Sequence, residues 1–274
     1  MPWEKVETAK LRGPYLHWMQ KAPIINNRFI GFLGLAHPGS QNPGAEAWLL
    51  QDERRGPRSL LALTEDEVIP LHHPLFPLLP QVVHEIRASF CAGRSITLHG
   101  SQIDEWTLSL RSKGLEVPSM QGRERWLYSV ERGQLRPEAR LDFRCLRIQH
   151  LDEAVAHAMR QFSLETLGRQ IVSGDEKKVF DRHTFYGLYQ HEELLSLAAA
   201  TRFSFKSRCL SYVYTAPAAR GQGHAARLVS HVVESLLQDE SLQQIFLYAD
   251  ASNESSQRLY EKLGFQKKCR SVSL

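Results

Sequence analysis

The chain of 274 residues is about twice as long as a typical single domain, so two domains are expected. Hydrophobic residues make up 42% and charged residues 23%, a globular balance that excludes a disordered or fibrous protein. The net charge of +4 favours anionic ligands mildly and is too small for a dedicated nucleic-acid-binding surface.

The cysteines and the apolar segments indicate the compartment. Cys91, Cys145, Cys209 and Cys269 form no CxxC pair and have no zinc-ligand spacing, so we expect reduced thiols and no metal. The charged start of the chain does not resemble a secretory signal, and no segment approaches the roughly 20 apolar residues that span a membrane. We therefore expect a cytoplasmic protein with neither a membrane nor a nucleic acid as partner.

The first half of the chain is predicted to contain short strands and two helices. Strands are expected at Ala45–Leu50, Ser59–Thr64, Ser95–His99 and Trp126–Val130, and helices at Gln81–Phe90 and Ile103–Lys113. Three prolines exclude a continuous helix through His72–Pro80. The adjacent His72 and His73 lack a further ligand at suitable spacing and are interpreted as loop residues. Gly133–Arg140 is predicted to be a linker.

The second half is more regular and predicts one mixed domain. Strands are expected at Cys145–Ile148, Thr184–Tyr189, Leu195–Phe205, Leu210–Thr215, Ile245–Ala249 and Phe265–Val272. Helices are expected at Asp152–Met159, Ser163–Val172 and Ser255–Leu263, and an amphipathic helix follows Gly223 with an apolar stripe from Leu228 to Leu237. The predicted class is α+β (mixed α/β), with a central, mostly antiparallel sheet flanked by helices.

A strand–helix–glycine unit occurs in both halves. Ile96–Leu115 aligns with Phe246–Phe265 at a constant offset of 150, which places Gly114 on Gly264. The identity is low, so a chance match stays the alternative. The pattern predicts related folds in the two halves.

The segment from Val213 to Ala225 joins an apolar strand to the long amphipathic helix. Free N–H groups and the dipole at a helix start attract anions, and Gly221 and Gly223 allow the backbone to close around a phosphate. Arg220 can add charge-assisted hydrogen bonds. The alternative is a glycine-rich turn with a surface arginine.

A second segment supplies a candidate acid. Leu259 and Leu263 are expected to point inward and Tyr260 to be turned partly away from them, with one apolar side and one wet side. Such a phenol can donate a proton to a leaving group. The alternative is an amphipathic core tyrosine.

Taken together, Arg-x-x-Gly-x-Ala at 220–225, Asn253 and Tyr-Glu-Lys-Leu-Gly-Phe at 260–265 resemble the GNAT (Gcn5-related N-acetyltransferase) superfamily. The resemblance covers residues 141–274 and implies the GNAT fold with acetyl-CoA as co-substrate. It implies a pyrophosphate-binding loop formed by Arg220, Gly221, Gln222, Gly223, His224 and Ala225. A second glycine is frequent in this loop where the chain has His224 and Ala225, and alanine is an accepted variant there.

The resemblance also implies how the remaining residues act. The backbone of Val213, Tyr214 and Thr215 pairs with the pantetheine arm like an added strand, and a backbone N–H near Val213 stabilises the oxyanion. Asn253 lies near the co-substrate, and Tyr260 protonates the departing thiolate. Base candidates on the acceptor side are Glu165, Tyr212 and a water chain; a solvated helix-face role is the alternative for Glu165.

The first half lacks these groups, because the offset of 150 places Leu110 at the position of Tyr260 and Ile103 at that of Asn253. We expect residues 1–138 to form a degenerate GNAT-like or accessory domain and residues 139–274 to form the catalytic domain, two GNAT-like domains in tandem. A segment near Trp126–Val130 is expected to complete the edge of the catalytic sheet.

The expected activity is N-acetylation of a primary amine on a small molecule or a protein, and a homodimer is kept open. Two alternatives remain at this point. One is a non-catalytic CoA-binding regulatory module, and the other is an acyltransferase that uses a longer acyl-CoA or conjugates small amino acids.

Overall fold

The computed structural model describes residues 95–112, 114, 123–138, 143–167 and 175–273 and, before residue 95, four strands, Met19–Gln20 and Ala88. The predictions for His72–Pro80, for Gln81–Phe90 apart from Ala88, and for Cys91 lie outside the described residues. The chain divides into two compact units. Unit 1 is Met1–Leu127, Phe203–Phe205 and Cys269–Leu274, and unit 2 is Tyr128–Arg202 and Lys206–Lys268.

The elements whose bounds lie within the described residues are strands, five α-helices and two short turns of other helix types. The strands are β1 Trp3–Val6, β2 Glu46–Asp52, β3 Gly56–Leu63, β4 Glu67–Pro70, β5 Ser95–His99, β6 Arg123–Glu131, β7 Arg144–Arg147, β8 Thr184–Gln190, β9 Glu193–Ser204, β10 Ser207–Thr215, β11 Gln244–Asp250 and β12 Gln266–Ser273. The helices are α1 Ser101–Ser112, α2 Glu153–Phe162, α3 Glu176–Arg182, α4 His224–Leu237 and α5 Glu254–Lys262. A π-helical turn spans Ser163–Leu167, and a 3₁₀ turn spans Pro217–Ala219.

Unit 1 contains a sheet in the order β1-β2-β3-β4-β5-β12, to which β12 contributes its residues from Cys269 onward. Neighbouring strands are antiparallel except for β4 and β5, which are parallel. On α1, the apolar side chains of Ile103, Trp106 and Leu110 are buried at the three- and four-residue spacing of one helix face. Strands β1 and β4 are too short to show clear alternation and were not predicted.

The end of the chain belongs to unit 1. Val272 is opposite Leu98 and Ser271 is opposite His99, and the N–H of Gly100 donates to the carbonyl of Arg270 at 2.8 Å. The sequence predicted a strand here without indicating which strand it joins.

Unit 2 contains a sheet in the order β6-β11-β10-β9-β8-β7. Strands β7, β8 and β9 are antiparallel, and β10 is parallel to β11. Strand β6 enters this unit at Tyr128 and lies beside β11. The segment near Trp126–Val130, predicted to complete the edge of this sheet, is part of β6. Mixed sheets flanked by helices confirm the predicted fold class.

Unit 2 has a core between α2 and the sheet. Val155 and Met159 of α2 are fully buried against Phe185 and Leu197 of the sheet. Asp152, the N-cap residue of α2, accepts a hydrogen bond from the N–H of Val155 at 2.8 Å and fixes the start of the helix.

Three local predictions differ from the structure. The helix expected over Ser163–Val172 is a π-helical turn that ends at Leu167, and residues after it are outside the described part. Helix α3 was missed because its seven residues are mostly charged and show little periodicity. The expected linker at Gly133–Arg140 is held within unit 2 as far as Glu138, because Arg136 donates to the carbonyl of Leu263 and Glu138 donates to Ser230, through their backbone N–H groups.

The repeated unit has the same elements at both places. Strand β5 and helix α1 precede Gly114 (φ +66°), and β11 and α5 precede Gly264 (φ +93°). In each case the glycine adopts the left-handed conformation that ends a helix. The degenerate role of residues 1–138 and the catalytic role of residues 139–274 stay predictions.

Each helix in the described residues falls short of the length and apolarity needed to cross a membrane.

Candidate functional site

Strand β10 has an irregular conformation in its second half. Its pairs with β11 run from Ser207–Gln244 to Cys209–Phe246, whereas β10 itself continues to Thr215. Tyr212 has φ +53°, a left-handed conformation that is costly for an aromatic residue and interrupts the strand geometry. Beyond this point, an extended ligand can approach the backbone of β10 as an added strand.

The loop after β10 leads into α4 through two glycines. Gly221 (φ +77°) and Gly223 (φ +79°) are both left-handed and exposed, and Gly223 is the N-cap residue of α4. The first helical hydrogen bond runs from the N–H of Arg227 to the carbonyl of Gly223, and no side chain caps the helix start. The N–H groups of the first turn therefore point out of the helix toward a potential anion.

Arg220 is held beside this helix start by three contacts. Its Nε donates to the carbonyl of Thr215 at 3.0 Å, and its guanidinium lies 5.6 Å from the ring centre of Tyr214. Its Nη2 donates to both carboxylate oxygens of Glu165, at 2.9 and 2.8 Å. The guanidinium is thus oriented from one side, and a carboxylate occupies its outer nitrogen.

Sequence reasoning missed a second cation at the loop, Arg227. Its Nη1 donates to the carbonyl of Gln222 at 2.8 Å, and its guanidinium lies 5.1 Å from the ring centre of Phe143. A Cβ added to Gly223 would lie 3.7 Å from that guanidinium. An arginine one turn into a helix that begins with glycines is the signal that could have found it.

The side chain of His224 faces the interior. It packs edge-on against Phe143 with ring centres 4.9 Å apart, and burial, with a smaller effect of the charge of Arg227, lowers the pKa of this histidine. Gln222 donates from its side chain to the carbonyl of Ala218 at 3.3 Å. At these two positions and at Ala225, the group available to an anion is the backbone N–H.

Two carbonyl groups of the predicted pantetheine strand already accept hydrogen bonds. The Tyr214 carbonyl accepts from Ser196 Oγ at 2.8 Å, and the Thr215 carbonyl accepts from Arg220. A carbonyl oxygen has two lone pairs, so these contacts leave room for a second donor. The pairing of Val213, Tyr214 and Thr215 with a pantetheine arm stays a prediction.

The two acceptor-side candidates have other contacts. Glu165 lies exposed in the π-helical turn and forms an ion pair with Arg220. Its role on the acceptor side stays a prediction. Tyr212 packs against Phe162 and Phe185, with ring centres 4.8 and 5.4 Å apart. Neither long-range contact has a signal in local sequence.

Asn253 is the N-cap residue of α5. Its Oδ1 accepts a hydrogen bond from the N–H of Ser256 at 3.0 Å, which explains the asparagine by helix capping alone. Its proposed place near the co-substrate stays a prediction.

Tyr260 is more deeply buried than its position in the sequence suggested. It is 6% exposed, whereas Leu259 is half-buried, so the expectation that Tyr260 turns partly away and keeps a wet side is wrong. The reason is a pocket of aromatic rings, because Tyr128 and Phe265 lie 6.1 and 5.7 Å from it between ring centres. Burial raises the pKa of the Tyr260 phenol, which therefore keeps its proton well above neutral pH.

A polar group sits beside this aromatic cluster. The Tyr128 hydroxyl donates to Glu261 Oε1 at 2.9 Å, and the Nζ of Lys267 lies 5.7 Å from the centre of the Tyr128 ring. Burial raises the pKa of Tyr128, and the hydrogen bond to Glu261 adds to the shift. Sequence reasoning did not connect Tyr128 with Tyr260, because they lie far apart in the chain and only the fold brings the rings together.

The donors at the loop fit a phosphate or diphosphate group. Uncapped N–H groups, two left-handed glycines without Cβ atoms and the guanidinium of Arg220 are the donor set that a phosphorylated ligand requires. Among the described residues, no group of three or more His, Cys, Asp or Glu side chains is arranged to bind a metal ion.

A comparison with protein families matches the second half of the chain. Residues 185–273, from β8 to the end of β12, match the model of the family described as FR47-like protein. No curated protein is significantly similar to the chain in sequence.

Solved structures have the same fold over nearly the whole chain. A Drosophila protein is 14% identical, with a TM-score of 0.64, and the alignment covers 99% of this chain and 97% of that one. A tandem GNAT protein from the clavulanic acid biosynthesis pathway is 12% identical, with a TM-score of 0.63 and coverage of 99% and 97%. A GCN5-related N-acetyltransferase from Sphaerobacter thermophilus is 14% identical, with a TM-score of 0.61 and coverage of 99% and 94%. At these identities the likeness establishes the fold.

Proposed function

Because the chain shares its fold with GNAT proteins and residues 185–273 match the FR47-like family model, we propose that it transfers an acetyl group from acetyl-CoA to an amine. The acceptor is a primary amine of a small molecule or a protein. Residues 139–274 carry the reaction in this proposal, and residues 1–138 form a degenerate GNAT-like domain in tandem with them.

The observation that carries the proposal is the uncapped start of α4. Gly221 and Gly223 turn the loop so that the first-turn N–H groups face outward, and Arg220 adds a positive charge beside them. This donor set favours a ligand with closely spaced negative charges, and the diphosphate of CoA has them.

Acetyl-CoA supplies a thioester whose carbonyl carbon a neutral amine attacks. A backbone N–H near Val213 stabilises the negative charge on the carbonyl oxygen, since the second half of β10 is not held by β11. As the new C–N bond forms and the C–S bond breaks, Tyr260 donates its proton to the departing sulfur. The amine proton leaves through a water chain, since the ring of Tyr212 is packed against Phe162 and Phe185.

The test is release of the CoA thiol from acetyl-CoA in the presence of a panel of primary amines. The proposal expects turnover with at least one amine and a loss of about 10²-fold in rate for Tyr260→Phe, because the phenol proton is lost while the ring remains. Tyr189→Phe, on β8, is the matched control and should keep the wild-type rate.

Three outcomes would contradict parts of the proposal. Binding of CoA without turnover on any amine would favour a non-catalytic CoA-binding module. Turnover only with longer acyl-CoA donors would mean that the chain transfers a longer acyl group and not acetyl. An unchanged rate for Tyr260→Phe would remove the assigned acid.

A further inference from the structure

The contact between Glu165 and Arg220 joins the π-helical turn to the loop before α4. One guanidinium nitrogen, Nη2, donates to both oxygens of the carboxylate, at 2.9 and 2.8 Å. The two residues are 55 positions apart in the chain, and their side chains are 48% and 43% exposed. The pair is therefore formed by the fold within unit 2 and is open to solvent.

The other side of the guanidinium is fixed independently. Nε of Arg220 donates to the carbonyl of Thr215, and the Tyr214 ring lies beneath the charge. With Nε anchored, an external anion meets the terminal nitrogens of the guanidinium, and Nη2 is the one that already binds a carboxylate. In this structure, the carboxylate of Glu165 binds that donor.

A carboxylate and a phosphate present the same chemistry to a guanidinium: two anionic oxygens at matching spacing. They also repel each other, so both anions cannot bind strongly at one nitrogen. We propose that the carboxylate of Glu165 competes with the diphosphate of CoA for the guanidinium of Arg220. Binding of CoA then displaces Glu165 from Arg220. The inference rests on the proposed function, which places the diphosphate at this loop.

The position of Glu165 suits an exchange of partners. Glu165 lies in the middle of the π-helical turn Ser163–Leu167, a rare geometry that is frequent at functional sites. Its partial exposure allows the carboxylate to leave Arg220 for solvent through a change of side-chain rotamer. Ligands without a diphosphate have nothing to exchange with this carboxylate, so Glu165 sets the affinity of the site according to the negative charge of the ligand.

The experiment measures binding of CoA and of pantetheine, which lacks the diphosphate, by calorimetry. Glu165→Gln should bind CoA about two- to fivefold more tightly than the wild type at low salt, the range expected for an exposed ion pair. The gain should shrink at about 0.5 M salt, and the affinity for pantetheine should stay the same. In an Arg220→Met background, Glu165→Gln should no longer change CoA affinity.

Asp181→Asn is the matched control, because it removes a carboxylate from another exposed ion pair of unit 2, with Lys177, and changes the net charge equally. An equal gain in CoA affinity for this variant would assign the effect to net charge and overturn the inference. CoA affinity that is unchanged or weaker in Glu165→Gln would overturn it as well, while leaving the proposed function intact. A wild-type chain that does not bind CoA would overturn the proposed function and this inference with it.

Discussion

Single side chains in unit 2 are placed by burial more than by local sequence. Tyr260 is buried between two aromatic rings, and burial keeps its proton in place, as a general acid requires. His183, at the end of α3, is half-buried, and Arg202 and Arg208 lie near it. In both cases the surroundings favour the neutral form.

The histidine leads to a prediction about acid stability. Burial, together with the nearby positive charge of Arg202, lowers the pKa of His183 to about 4, below the ordinary value of 6.5. Between these two values the unfolded chain binds the proton more readily, so stability is complete above about pH 6.5 and is lost as the pH falls toward 4. We expect the free energy of unfolding to fall by up to about 3 kcal/mol from this group.

His183→Gln should remove that part of the pH dependence, as measured by urea unfolding at several pH values between 7 and 4. His150→Gln, at an exposed histidine, serves as the control and should keep the wild-type slope. If the free energy of unfolding changes with pH equally in the wild type and in His183→Gln, the loss of stability in acid does not come from His183.

At the scale of elements, the ends of helices determine the candidate site. Gly223 begins α4 in a left-handed conformation, and Gly264 follows α5 in the same region of φ. The two glycines are required for different reasons. A Cβ on Gly223 would meet only the flexible end of Arg227, whereas a Cβ on Gly264 would lie 2.2 Å from the carbonyl oxygen of Gln134.

Replacing Gly264 should therefore reduce the free energy of unfolding far more than replacing a glycine of similar φ with no atoms near its Cβ position. Gly264→Ala is expected to reduce the free energy of unfolding by about 3 kcal/mol, part from the left-handed conformation and part from the backbone clash. Gly133→Ala (φ +85°, with nothing within 4 Å of the added Cβ) should cost about 1 kcal/mol. Urea unfolding of both variants gives the comparison, and equal costs would mean that the loop of Gln134 moves aside.

At the scale of the whole molecule, the chain returns to unit 1 at its end. Strand β12 passes from unit 2 into unit 1 at Cys269, and its last residues are antiparallel to β5. Val272 is 1% exposed and opposite Leu98, so the end of the chain contributes to the core of unit 1.

This arrangement predicts that a change near the C-terminus loosens unit 1. Val272→Ala should cost about 1–3 kcal/mol and accelerate hydrogen exchange at the amides of β5, because buried methyl groups opposite that strand are lost. Lys268→Ala, at an exposed position of the same strand, should change stability by less than about 0.5 kcal/mol. Unchanged exchange in β5 for Val272→Ala would contradict the contribution of β12 to unit 1.

The sequence by itself determined the elements and motifs whose cause is local. A short apolar segment predicted β5, two segments around a turn predicted β8 and β9, the apolar stripe predicted α4, and the spacing of Arg220, Gly221 and Gly223 predicted a loop at a helix start. These features follow from the periodicity of strands and helices and from the special conformation of glycine, all of which act within a few residues.

Only the tertiary structure decided which distant residues meet. The ion pair of Glu165 with Arg220, the packing of Tyr260 against Tyr128, and the pairing of β12 with β5 join residues far apart in the chain. Such contacts depend on the packing of whole elements, and a single sequence has no local pattern that specifies them. The physical reason is that burial and charge pairing are properties of the folded surroundings, whereas periodicity is a property of the chain.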